Sequence, residues 1–235
     1  MPASGGRDPL VGREAKQGGT GAGQGATRPG EVGANGAPDT AVGFESSSSA
    51  LGDQRPAGAV EDAVVVRPSA GDGCEFDLVF VPEEEPKRGK NRLHLDLASR
   101  TDRHQRQVVE QALTLGARPL DVGQGDVPWV VLADPEGNEF CVLEPRPEYS
   151  RAGALAALVV DANEPAELAE FWSARLGWPV AASHPVVVTL RGPSGHGPAV
   201  EFLRSADVKS GRNRLRVHLG EHPGPAVDPE GNEFA

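Results

Sequence analysis

The 235-residue chain has two cysteines, one methionine, one tyrosine and only 5% aromatic residues. Cys74 and Cys141 lie far apart without CxxC spacing, which excludes a disulfide-stapled scaffold and a zinc knuckle and suits a reducing compartment. No run approaches the ~20 apolar residues of a membrane helix, and the Gly-rich N-terminus lacks the apolar core of a secretion signal. The expected location is the cytoplasm, with no membrane partner. Positive charge is scarce too: 23 Lys/Arg against 34 Asp/Glu leave a formal net charge of −11. A field of that sign repels phosphate backbones, so no nucleic-acid partner is expected. A Ser/His/Asp order, an HExxH pairing and a phosphate-cradling GxxxxGK[ST] are all absent. GGTGAGQG follows no strand and opens no helix, so it is not a nucleotide loop.

Glycine and proline are abundant instead, and unevenly placed. Residues 1–60 hold 14 of the 30 glycines and a run from Ser46 to Ser49, with almost no large apolar side chains. Such a stretch cannot bury enough surface to offset chain entropy, and it is expected to be a disordered low-complexity arm.

The remainder is a repeat. Lys87 to Leu97 reads KRGKNRLHLDL and Lys209 to Leu219 reads KSGRNRLRVHL, at an offset of 122 residues. The same offset places Val64 to Val66 on Val186 to Val188, and Phe80 on Phe202. DPEGNEF occurs at Asp134 to Phe140 and again at Asp228 to Phe234, an offset of 94. The second copy is therefore 28 residues shorter between these motifs. Copy one, residues 62–146, has no counterpart of Ala154 to Trp178. Copy two, residues 154–235, lacks the segment between Leu219 and Asp228 and is truncated in its last unit.

Periodicity supplies the elements. Asn163 is placed as an N-cap with Pro165 in the first turn, Leu168, Phe171, Trp172 and Leu176 on one face, and Gly177 as the stop. A second helix follows Thr101 and Asp102, with Val108, Val109, Ala112 and Leu113 on one side and Gly116 ending it. In Leu93 to Leu97 the leucines share one face while His94 and Asp96 share the other. Trp129 to Ala133, Phe140 to Leu143, Val186 to Leu190 and Ala199 to Leu203 suit strands. Asp134-Pro135-Glu136-Gly137 carries the type I turn signature and joins two strands as a hairpin. The unit is strand, helix, then about three strands, with whole units at 91–146 and 154–204 and damaged ones at 62–82 and 213–235.

LAEFWSARLGW after a first strand, GKNRLHLDL opening the next unit and DPEGNEF before a last strand together resemble the glyoxalase/bleomycin resistance/extradiol dioxygenase (vicinal oxygen chelate) superfamily, in its tandem glyoxalase-like form. The resemblance covers roughly residues 62–235. It implies an α+β fold in which paired βαβββ units form curved, mixed, mainly antiparallel sheets whose concave face binds a small organic molecule. Which units pair is left open.

Metal ligands of that superfamily lie on the first and last strands of paired units. Copy one offers His94 and Cys141, with Val79 in its damaged unit; copy two offers Ala157, Glu201, Arg216 and Ala235. If the two whole units pair with each other, the positions become His94, Cys141, Ala157 and Glu201, and His94, Cys141 and Glu201 plus water would make a workable zinc set. No complete metal site and no cofactor is expected, with a divalent metal as the alternative. His94 is read first as a cleft residue bonded to Asp96, and Glu201 as an ion-pair partner of Arg216. Cys141 is read as a small buried hydrophobe and Trp172 as core. Trp129 remains a pocket candidate, and His218 shares the face of Arg216. The resemblance thus implies a binding or sequestering protein, the alternative being a metal-dependent lyase, isomerase or dioxygenase. Missing strands leave unpaired sheet edges through which a homodimer is expected.

Overall fold

A computed structural model describes residues 63–68, 73–74, 76–219 and 226–235; the expected arm at 1–60 lies outside the described residues. Strands β1 (Val64–Val66) and β2 (Leu78–Phe80) form an antiparallel pair. The first whole unit is β3 (Leu93–Leu97), α1 (Asp102–Thr114), β4 (Arg118–Pro119), β5 (Val130–Ala133) and β6 (Glu139–Val142). The second is β7 (Leu155–Ala162), α2 (Pro165–Leu176), β8 (Val180–Ser183), β9 (Val187–Arg191) and β10 (Ala199–Arg204). A short pair, β11 (Ala226–Val227) and β12 (Glu233–Phe234), follows.

The two whole units share one eight-stranded sheet in the order β4-β5-β6-β3-β7-β10-β9-β8. β3 pairs with β6, and β7 with β10, in parallel; the other neighbours are antiparallel. The chain is thus α+β, built from paired βαβββ units. Of the pairings left open by the sequence, the sheet joins the contiguous units through β3 and β7. The junction between the two copies therefore falls inside one sheet.

Period two divides the sheet into faces. On one, Leu93, Val160, Val188, Leu190, Val200 and Phe202 pack with Leu168, Ala169 and Trp172 of α2. Leu132 and Val142 likewise meet Val108, Val109 and Ala112 of α1. Thr101 caps α1, its hydroxyl accepting from the His104 N–H at 3.0 Å. Gly177 ends α2 in the left-handed region at φ 65, where a side chain would be strained.

The cap of α2 departs from the expectation. Glu164, not Asn163, is the N-cap, and no side chain within the helix caps it. The carboxylate of Glu230 instead accepts from the N–H groups of Asn163 and Glu164, each at 2.9 Å. A carboxylate is a stronger partner than an amide for the positive end of a helix, and the second DPEGN turn delivers one.

Both copies of the repeat build the same clamp. Lys87 Nζ donates to Gly89 O at 2.5 Å and Glu139 Oε1 at 2.6 Å, while the Asn91 N–H and Nδ2 donate to Glu139 and Asn138. In copy two, Lys209 donates to Gly211 O at 2.6 Å and Glu233 Oε1 at 2.9 Å, while Asn213 donates to Glu233 and Asn232. In each turn the aspartate, Asp134 or Asp228, accepts from the asparagine N–H at 2.7 or 2.8 Å. GKNR and DPEGNE are thus two halves of one hydrogen-bonded lock. The second clamp is anchored further by Phe234, which meets Trp172 and Phe171 edge-on at 5.0 and 6.0 Å.

Candidate functional site

The face of the sheet opposite α1 and α2 carries the chemistry, and the strand register assembles it. One row runs Val131, Cys141, Asp96, Ala157, Ala199 and Arg191 across β5, β6, β3, β7, β10 and β9. The next row runs His94, Val159, Glu201 and Thr189. His94 and Asp96 alternate with the core leucines, so burying Leu93 against α2 turns the two polar side chains to the opposite surface.

His94, Asp96 and Cys141 come together: their ligating atoms all lie within 4.8 Å of one another. Asp96 and Cys141 lie directly opposite each other in the parallel β3–β6 register. The expected bond between His94 and Asp96 is not made. His94 Nε2 stands 3.5 Å from Asp96 Oδ1, and that oxygen is buried without a hydrogen-bond partner.

Glu201 lies on the same face but is held elsewhere. It accepts the Tyr149 hydroxyl at 2.6 Å and the Thr189 hydroxyl at 3.4 Å. The cations acting on it are Arg146 and Arg191, not Arg216 as the sequence suggested. Arg216 and His218 are exposed and flank Val217, which pairs with Phe234 outside the eight-stranded sheet. Among the described residues after β10, the strands are two residues long and do not carry them onto this face.

Trp129 marks the rim. Its indole N–H donates to Gln124 at 2.9 Å, and Arg146 lies 5.4 Å from the ring centre. Trp129 and Val131 pack against the cluster containing Cys141 and Ala157, and both line an open groove of about 280 Å³ with Leu120, Val122 and Val127.

Burial controls the protonation of this face. Asp96 is pushed up to about 7, first by burial and then by the charge of Glu201. Burial raises Glu201 as well, opposed by the hydrogen bond from Tyr149. It raises the Cys141 thiol, with Asp96 adding to the effect, and lowers His94. At neutral pH the face therefore presents a neutral imidazole, a thiol, a phenol and a carboxyl group near half-protonation. These groups can donate or accept hydrogen bonds beside the guanidinium groups of Arg146 and Arg191.

Tyr149, Thr189 and Arg146 are the residues that sequence reasoning did not single out. Tyr149 is the only tyrosine and sits in the connection between the units, where no strand period applies. Thr189 carried a usable signal, since it lies directly opposite Glu201 once β9 and β10 are taken as a hairpin.

The family profile described as "Glyoxalase-like domain" matches residues 32–143 and 157–227. The chain belongs to that family, and with it to the vicinal oxygen chelate superfamily. Its first matched segment begins within the stretch expected to be the arm. Among solved structures, a variant of glyoxalase I from Zea mays is similar at 16% identity and TM-score 0.43, over 60% of this chain and 65% of that one. A second variant of the same enzyme gives 15% and 0.45 over 73% of this chain and 78% of that one. A putative dioxygenase from Bacillus subtilis subsp. subtilis str. 168 gives 11% and 0.37 over 60% of this chain and 50% of that one. The chain thus spans 65% of the first of these structures and half of the last. No curated protein matches it. Among the described residues, no helix is long and apolar enough to cross a membrane.

Proposed function

We propose that the protein binds a small organic molecule on the face of the eight-stranded sheet opposite α1 and α2, entering over Trp129, without a metal centre of the four-position kind. One observation carries this reading: Asp96 Oδ1 is buried on that face with no hydrogen-bond partner, a position that a ligand's donor can fill. A buried acceptor left unpaired is destabilising by about 1–3 kcal/mol, and a bound donor would relieve it. The groove's about 280 Å³ sits near the lower end of the roughly 300–1,000 Å³ typical of ligand sites.

The four strand positions of the paired units read His94, Cys141, Ala157 and Glu201. Ala157 offers no donor, and Glu201 is committed to Tyr149 and Thr189. That set does not fit an ion. A second reading keeps a metal at a different set, His94, Asp96 and Cys141, and the orphaned Asp96 oxygen favours it. An imidazole, a carboxylate and a thiol suit zinc, though Cys141 would have to lose a proton that burial holds in place. Bound there, a divalent ion would supply Lewis-acid stabilisation of developing negative charge. The residues here would orient it: β3 and β6 hold Asp96 and Cys141 opposite each other beside His94, and burial keeps His94 neutral, the form that ligates.

Metal analysis of purified protein, before and after His94→Ala, separates the readings. Stoichiometric metal lost in the variant favours the second. Substoichiometric metal in both, with selective thermal stabilisation by members of an organic-compound library that Trp129→Ala abolishes, supports the first. A library without a selective binder and a metal-free protein would overturn both.

A further inference from the structure

Arg92 and Asp161 face each other across β3 and β7, one step beyond the Leu93–Val160 pair, and the Asp161 N–H donates to the Arg92 carbonyl at 2.8 Å. Asp161 shares its parity with Val159, the partner of His94, so it lies on the face of His94 and Asp96. Both side chains are enclosed, Arg92 at 7% and Asp161 at 2% exposed. Each nevertheless keeps one buried atom, Arg92 Nε or Asp161 Oδ1, with no hydrogen-bond partner among the described residues. The first is a donor and the second an acceptor.

The charges here are already balanced. Lys90 Nζ donates to Asp161 Oδ2. Arg92 donates from Nη2 to Glu230 Oε2 and from Nη1 to the Asp207 carbonyl, both at 2.7 Å. An added cation would meet Lys90 and Arg92, and an added anion would meet Asp161 and Glu230, so either would bring an uncompensated charge into an enclosed place. A neutral group that donates and accepts at once satisfies both atoms, and hydroxyls and carboxamides are of that kind. Lys90 forms the outer wall. Its side chain is 38% exposed and is bonded to Asp161 alone among the described residues, so the stem can swing aside to admit a ligand. The charges of Lys90 and Asp161 both act on His94, which puts the pair at one end of the same site.

Asp96 opposes Ala157, four residues before Asp161 on β7, so the strand positions of the two carboxyl groups stand about 13 Å apart with His94 between them. We infer that the ligand of this face is an uncharged, elongated molecule with a hydroxyl or carboxamide at each end, one meeting Asp96 Oδ1 and the other seated between Asp161 Oδ1 and Arg92 Nε. This rests on the reading that the face binds a small organic molecule, and it adds the charge, length and end groups of that molecule. A compound with a single polar end leaves one of the two buried positions unfilled, which is the basis of selection for length.

The test is calorimetric titration of the full chain against neutral disaccharides and end-blocked dipeptide amides, with putrescine and succinate as charged comparators. At least one neutral probe is expected to bind roughly tenfold or more tightly than either charged one, and the arm that binds tells hydroxyl from carboxamide. Removing the end donor of that probe, by fluorine for hydroxyl or methyl ester for amide, should weaken binding to the wild type by about tenfold. In Asp161→Asn the amide oxygen turns to Lys90 and an N–H replaces the free acceptor, so the same change should matter less than about threefold. Should that variant fail to fold, the wild-type chain gives a second readout: the Arg92 Nε–H resonance, identified by its loss in Arg92→Lys, should shift on saturation with the bound probe. Preference for the charged probes, a donor penalty equal in wild type and variant, or binding that leaves the Arg92 resonance unmoved would overturn the inference while leaving a small-molecule site in place. So would an ordered water that stays between Arg92 Nε and Asp161 Oδ1 in crystals soaked with the bound probe. Binding by none of these probes, alongside a selective library compound lost in Trp129→Ala, overturns this inference alone; no binder of any class removes the underlying reading as well.

Discussion

Replacing Asp96 by Asn tests the electrostatics of the site through stability alone. Asp96 is buried, and its carboxyl is pushed from 3.8 up to about 7 by burial and by Glu201. Between these values the folded chain keeps a proton that the unfolded chain has lost. Stability therefore falls as pH rises through the window from about 4 to 7, and the loss is complete above it. A difference of about three pH units corresponds to about 4 kcal/mol. Asn has nearly the same shape and never ionises, so Asp96→Asn is expected to match wild type near pH 4 and to exceed it in Tm by about 10 °C at pH 8. Thermal scans of both proteins from pH 4 to 8, with a chelator present, provide the assay. A gap between the two that does not change with pH would refute the reasoning, because it would mean that Asp96 is ionised throughout.

Further outcomes follow from the packing and the clamps. Phe234 is 1% exposed within the Phe171–Trp172 cluster, so Phe234→Ala should lower unfolding free energy in urea by about 3–5 kcal/mol despite its place one residue from the end of the sequence. Glu139→Ala leaves Lys87 buried without its partner and should be destabilising by about 3–5 kcal/mol, whereas the equivalent Glu233→Ala, whose pair is more exposed, should lose clearly less. Tyr149→Phe removes the donor to Glu201 and should reduce stability by about 1–3 kcal/mol in chemical denaturation, while raising the Glu201 pKa further in an NMR titration.

Much of the fold was legible because local rules and tertiary packing agree. Thr101 caps α1, Gly177 stops α2, the DPEG turns close their hairpins, and the leucines of β3 face the core while His94 and Asp96 do not. Asn163 failed as a cap because the competing acceptor, Glu230, comes from 67 residues away and carries a full charge. The expected Glu201–Arg216 pair failed for a related reason: strand position fixes a residue's face but not which neighbours reach it, and Tyr149 enters from a connection with no periodicity. The choice between tandem and contiguous pairing depends on β3 and β7, whose edges are both apolar and β-forming, so pattern alone leaves the partner undecided.

The pairing of β3 with β7 underlies the whole account, since it alone brings His94, Asp96 and Cys141 to the same face as Glu201 and Tyr149. His94 and Val159 lie directly opposite in that antiparallel register, a separation of about 4.5–5.5 Å between Cα atoms that a disulfide can span. In a chain carrying His94→Cys and Val159→Cys, with Cys74 and Cys141 changed to Ala, mild oxidation should close a bond between positions 94 and 159, identified by peptide mapping of the non-reduced protein. Failure of these two thiols to join under conditions where the chain is folded would contradict the sheet, and with it the site.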